Sequence, residues 1–179
     1  MFKLIMLLYC LGMLTGEYNY YIFHSPIGVI YVVSSRDGVV FLGGFNEFAK
    51  RFRCKNLRLY RDSIISETTK QLNEYFSLKR KVFNVRLDYR LISPFQLKVL
   101  RRVMDIPYGE TRSYWFISNQ IGLPRAQRIV GRMLALNPLI ILIPCHRVIR
   151  KNGDIGGYSL GKNAKRFLLK LEKEGLKVN

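Results

Sequence analysis

The sequence predicts an α/β fold of the α+β kind, in two parts. A small N-terminal antiparallel sheet with a helix precedes a mostly helical C-terminal part. Three observations carry this. Residues 18–45 are rich in aromatic and β-branched residues, divided by two turn signals. From Ser93 onward, apolar residues recur at helical spacing behind helix-start signals. The chain has 179 residues and is 49% hydrophobic, long enough for a core without staples and too apolar for disorder. The expected divisions are 1–17, an apolar extension; 18–90, the sheet domain; and 91–179, the helical domain.

In order, YNYYIFHSPIG reads as a strand entering a Ser25-Pro26-Ile27-Gly28 turn. VIYVVSS follows, then an Arg36-Asp37-Gly38 hairpin turn and the return strand VVFLGGF. Residues 64–76 read as a helix with Ile64, Ile65, Leu72, Tyr75 and Phe76 on its apolar side and Ser63 as N-cap. Phe83 to Leu87 reads as a short strand. Ser93-Pro94 opens a helix with Phe95, Val99, Leu100 and Val103 facing inward, and Ile106-Pro107-Tyr108-Gly109 ends it. Residues 111–121 read as a short helix closed by Gly122. Pro124 is expected to open another, running to about Leu136. This pair resembles a helix-turn-helix.

The net charge is +18, from 30 Lys+Arg against 12 Asp+Glu, which favours a polyanionic partner. Cys10, Cys54 and Cys145 form an odd set without CxxC, which argues against a disulfide framework and suits a reducing, cytoplasmic compartment. No closely spaced ligand set for zinc is visible, so neither metal nor cofactor is expected. The opening MFKLIMLLYCLGMLTG has a signal-like apolar run, but it is short for a membrane span and lacks a small-x-small cleavage site. A first strand, or a start at Met6 or Met13, is the preferred reading, with no membrane association.

Arg125, Arg128 and Arg132 are spaced to share one face of the second helix, with Ile129, Val130 and Met133 opposite. Such a stripe suits phosphate contact, and equally a solvated basic face. Gly131 within that helix costs ~1 kcal/mol relative to Ala, which a close backbone approach would explain. The run Leu139–Ile143 reads as a buried strand ending at Pro144, followed by Cys145, His146 and Arg147. A thiol of pKa ~8.5 needs a base or a cation to become a nucleophile. His146 is the adjacent base, and Glu110, Asp154, Glu172 and Glu174 are candidate carboxylates to orient it. The same residues also fit an inert buried cysteine or a thiol hydrolase.

IPCHRVI (143–149) resembles the active-site signature of the O6-alkylguanine-DNA alkyltransferases. SPFQLKVLRRVMDIPYGETRSY (93–114), RIVGRMLALNP (128–138), GGYSLG (156–161) and LLKLE (168–172) resemble other parts of that family, and HSPIG and TTKQLNEYF do so more weakly. The resemblance runs from about Tyr18 to Gly175. It implies an RNase H-like N-terminal domain and a winged-helix-like DNA-binding domain. It also implies direct repair of DNA, by irreversible transfer of an alkyl group from guanine O6 (or thymine O4) to Cys145, once per molecule.

By the same resemblance, His146 acts as base through a water, Glu172 orients it, and Asn137 holds the turn carrying the motif. Tyr114 crowds a phosphate and protonates the leaving guanine. Arg128 fills the gap left by the flipped nucleotide, while Tyr158 and Ser159 hold the base. Arg125, Gly131 and Val148 are further candidate DNA- or substrate-contacting residues. The implied partner is double-stranded DNA containing O6-alkylguanine, bound in the minor groove by a monomer.

Some residues depart from the family pattern. Arg132 and Met133 replace small residues, Trp115 stands where smaller or polar residues are usual, and Leu160 replaces a common glycine, where it is expected to narrow the alkyl pocket. The alternative is a non-enzymatic protein that binds alkyl lesions. Such proteins replace the cysteine, so Cys145 counts against it. A thiol hydrolase leaves the arginine stripe without a role.

Overall fold

The computed structural model describes residues 18–53 and 56–177, and the opening apolar run lies outside them. The aromatic run YNYYIFHS forms β1 (Tyr18–Ser25), which turns back into β2 (Gly28–Ser35) with Tyr21 opposite Val32. The Arg36-Asp37 turn returns the chain as β3 (Gly38–Gly43), antiparallel to β2. Two elements without a local sequence signal follow: helix α1 (Phe45–Phe52) and the short strand β4 (Leu57–Leu59). The sheet order is β3-β2-β1-β4, and β4 lies parallel to β1, so the expected antiparallel sheet gains one parallel edge.

The outer edge of β3 is shared by two distant segments. Val39 N donates to Arg86 O at 2.8 Å and Asp88 N to Val39 O at 2.8 Å. Gly38 permits this approach, because a Cβ there would lie 2.4 Å from Arg86 O. Further along, Leu42 N donates to Pro138 O at 2.7 Å and Ile140 N to Leu42 O at 3.1 Å. Each segment has only one β3 residue to bond with. Neither expected strand therefore develops: 83–87 has a single bridge to β3 at Leu87, and 139–143 meets β3 through Leu139 alone.

Helix α2 (Ser63–Phe76) begins one residue after its true cap, Asp62. Asp62 replaces the expected Ser63 because its two oxygens do two jobs. Oδ1 accepts from Ile65 N at 2.8 Å, while Oδ2 accepts from Ser34 Oγ at 2.5 Å and Asn19 Nδ2 at 2.8 Å, tying helix to sheet.

Helix α3 (Pro94–Met104) has the expected Ser93 cap, whose Oγ accepts from Gln96 N at 3.3 Å. Phe95 points outward, and Gln96 takes the buried place, donating to Met133 O at 3.0 Å. Ser113 caps α4 (Tyr114–Gln120), so that helix starts later than expected. Arg112–Ser113 instead forms β5, parallel to β6 (Val148–Ile149).

Pro124 does not open the next helix. Arg125 adopts φ +70, and α5 runs Gln127–Ala135. The stripe therefore reduces to Arg128 and Arg132, with Arg125 in the turn. Ile129 is exposed, while Val130 is buried and Met133 packs against the core. Helix α6 (Gly161–Gly175) closes the chain.

One continuous core joins both halves, including Val32, Leu42, Tyr75, Val99, Ile117, Leu139 and Leu168. A second, aromatic cluster under α1 joins Tyr18, Phe41 and Phe52. Among the described residues, no helix is long and apolar enough to cross a membrane.

Candidate active site

The apolar run before the motif folds on itself instead of extending. Ile141 takes φ +69, and Ile143 N donates back to Leu139 O at 2.8 Å. All five residues, Leu139–Ile143, are buried. Cys145 then starts a single 3-10 turn, Cys145–Arg147, and not the end of a strand. Asn137 holds this loop at both ends. Its Oδ1 accepts from Leu139 N at 3.0 Å, and its Nδ2 donates to Ile143 O at 3.1 Å and to Cys145 Sγ at 3.2 Å. Burial pushes the Cys145 thiol up, and the Asn137 amide, the Lys165 charge and nearby backbone amides only partly oppose it. The resting group is therefore a thiol that needs a base.

His146 lies fully buried behind it. Its Nε2 is 2.8 Å from Glu172 Oε1. With the proton on Nε2, Nδ1 carries a lone pair, and it is buried without a protein partner. Burial lowers the His146 pKa more than Glu172 raises it, so the imidazole is neutral at neutral pH.

Glu172 is the one carboxylate of the four candidates that reaches the site. Glu110 pairs with Arg112, Asp154 with Arg150, and Glu174 with Lys170. Glu172 accepts from Arg147 Nη2 at 3.0 Å, Arg147 Nε at 3.0 Å, Gly109 N at 3.0 Å and Tyr75 Oη at 2.8 Å. Burial pushes its carboxyl up, but hydrogen bonds and charge from His146 and Arg147 outweigh it and hold it at about 2. Arg147 is itself anchored on Ile106 O at 2.6 Å.

Cys145 opens onto a cavity of about 720 Å³, whose wall includes Tyr114, Arg128, Gly131, Tyr158 and Ser159. Tyr114 lies between two glycines. A Cβ on Gly131 would meet its ring at 3.7 Å, and one on Gly156 would meet its hydroxyl at 3.0 Å. Burial raises the Tyr114 pKa, which keeps its proton in place. The Tyr158 ring stands edge-on to His146 at 6.4 Å, its hydroxyl buried without a protein partner. Trp115 is half exposed at the cavity wall, with Lys151 Nζ 5.5 Å from its ring centre.

Two of the expected contact residues do not line this cavity. Arg125 sits exposed in the turn before α5. Val148 is fully buried, and its carbonyl accepts from Lys165 Nζ at 2.6 Å. Leu160 also faces away. It lines a separate cavity of about 420 Å³ with Gly44 and Phe45, so it does not narrow the space at Cys145.

Sequence reasoning missed two groups. Lys165 is buried, lies 5.9 Å from the Tyr114 ring centre, and burial lowers its pKa to about 8. A buried lysine on an amphipathic helix gives no local signal. The helical spacing puts Tyr75 on an apolar face, and only the tertiary fold shows where its hydroxyl goes. Among the described residues, no group of three or more His, Cys, Asp or Glu is placed to hold a metal ion.

Residues 94–174 match the family model described as 6-O-methylguanine DNA methyltransferase, DNA binding domain. Residues 18–89 match its ribonuclease-like domain. The chain is 39% identical over 153 residues to a methylated-DNA–protein-cysteine methyltransferase of Methanosarcina acetivorans, covering 86% of this chain and 97% of that protein. The inducible methylated-DNA–protein-cysteine methyltransferase of Bacillus subtilis is 39% identical over 150 residues, covering 80% and 83%. Among solved structures, Mycobacterium tuberculosis OGT in complex with DNA superposes with a TM-score of 0.78 at 38% identity, over 88% of this chain and 94% of that one. With both family models matched and relatives 39% identical over most of their length, the chain belongs to the 6-O-methylguanine DNA methyltransferase family.

Proposed function

We propose that the protein repairs DNA directly, taking the alkyl group from O6 of guanine, or O4 of thymine, onto Cys145 Sγ. The observation that carries this is a thiol opening on a cavity, backed by a buried His146–Glu172 pair whose free Nδ1 is a base without a protein partner. The thiol proton passes to His146 Nδ1 through a water. The sulfur attacks the alkyl carbon, a C–S bond forms, and the C–O6 bond breaks. The guanine takes a proton from Tyr114 and leaves neutral, and the tyrosinate so formed offsets the positive charge on His146. The thioether has no route back, so each molecule acts once.

The alkyl carbon is out of reach in a stacked duplex, so the nucleotide is flipped, at a cost of a few kcal/mol. Arg128 fills the gap from the minor groove, Tyr158 stacks on the base, and Ser159 bonds its O6. Arg125 contributes charge beside the groove, and Gly131 leaves room beside Tyr114. Val148 acts indirectly, by holding Lys165. A monomer with a net charge of +18 suffices for this binding and makes it strongly salt-dependent. A protein that recognises the lesion without repairing it is disfavoured, because Cys145 is present and Leu160 lies against Gly44, away from the cavity.

Intact-mass and peptide mass spectrometry after incubation with an O6-methylguanine duplex tests this. One methyl per molecule, on the Cys145 peptide, is expected. Tight binding without added mass, in protein with a reduced thiol, would leave only lesion recognition.

A further inference from the structure

The carboxylate behind His146 is reached by one side chain from the N-terminal half. Tyr75, on the buried side of α2, donates its hydroxyl to Glu172 Oε1 at 2.8 Å across 97 residues of sequence. The same oxygen holds His146 Nε2 at 2.8 Å and Arg147 Nη2 at 3.0 Å. The ring is fully buried and fixed by edge contacts with Phe76 at 5.5 Å and Tyr108 at 6.1 Å. A tyrosine that only packed would not need its hydroxyl on the one oxygen that orients the base.

We propose that Tyr75 is a positioning residue for alkyl transfer. It fixes the Glu172 oxygen that holds His146, and so sets the geometry and strength with which His146 takes the thiol proton. This rests on the repair reading above. The physical basis is competition for one oxygen. Arg147 Nε reaches the same oxygen at 3.2 Å. Each donor on Oε1 draws off negative charge, so with the Tyr75 hydroxyl in place Glu172 is a weaker partner for a protonated His146 than without it. Removing the Tyr75 hydroxyl makes His146 easier to protonate and lets the carboxylate rotate. The other charged or titratable groups around the pair are Arg147 and Cys145 of the 3-10 turn, Lys165 of α6, and Tyr108 and Tyr158.

The test is Tyr75→Phe in the full chain, read by single-turnover methyl transfer from an O6-methylguanine duplex across pH. Binding of the same duplex is measured in the Cys145→Ser background. The expected result is transfer slowed about three- to tenfold near neutral pH, an acid limb moved to higher pH, and unchanged DNA affinity. A rate profile that superimposes on that of the unaltered protein, whatever happens to the melting temperature, would overturn the proposal. Should Tyr75→Phe not fold, a ring-fluorinated tyrosine at this position keeps the shape and strengthens the donor. It is expected to move the limb to lower pH, and an unmoved limb would again overturn the role. If the unaltered protein transfers no methyl, the repair reading fails first and takes this one with it. Normal transfer with an insensitive profile removes Tyr75 alone.

Discussion

Trp115 is the single tryptophan of the chain and stands 48% exposed at the cavity wall. Its emission therefore reports from the cavity mouth without a label. Duplex binding by the Cys145→Ser protein is expected to quench that emission, since a nucleobase would stack on the exposed indole face. An unchanged spectrum at saturating duplex would place the DNA elsewhere. Glu172 makes a second residue-scale prediction. Its carboxyl is held at about 2 against an ordinary 4.5, so the unfolded chain takes up its proton first as pH falls. The stability it contributes is present above pH 4.5 and is lost toward about 2. Melting curves should show Glu172→Gln well below the unaltered protein at neutral pH, with the gap closing through that acid range. A gap independent of pH would mean that the ionised carboxylate is not what stabilises the fold.

At the scale of elements, Gly131 separates stability from function. A Cβ there meets Tyr114 only at ordinary contact distance, 3.7 Å, so Gly131→Ala should let α5 gain up to about 1 kcal/mol of helix propensity. The same methyl enters the cavity wall, so the transfer rate should fall while urea unfolding shows equal or greater stability. A destabilised variant would show that the helix does not tolerate a side chain there. The two hairpin turns and the start of α3 were legible because their signals are local: turn residues at Ser25–Gly28, and Ser93-Pro94 ahead of an apolar face. The shape of 139–143 was not. Its apolar run suits a strand, yet only Leu42 of β3, about a hundred residues earlier, offers it a partner. At the start of α5, Pro124 suits a turn as well as a helix start, and the positive φ of Arg125 decides for the turn. In the site, Cys145, His146 and Asn137 were legible through their motifs. Glu172 is one carboxylate among four by composition and is singled out only by the family resemblance of LLKLE, while Tyr75 and Lys165 carry no signal of polar use.

Across the whole molecule, the continuous core predicts that the two halves unfold together. Trp115 emission, from the C-terminal half, and far-ultraviolet circular dichroism, from both, should give one coincident urea transition. Two separate midpoints would show that the halves are stable independently. Charge acts at the same scale: duplex affinity should fall steeply and linearly with the logarithm of salt concentration, and a flat response would exclude phosphate contacts as its source.

The shared edge of β3 has a consequence for how these molecules meet one another. An uncovered sheet margin invites strands from a neighbouring chain. Here the β3 margin is occupied from within, by Arg86–Asp88 near its start and Pro138–Ile140 near its end. The opposite margin is β4, three residues long and carrying Arg58, too short to template a neighbour. The same bonds that set Asn137 beside the thiol therefore also guard the sheet against self-association.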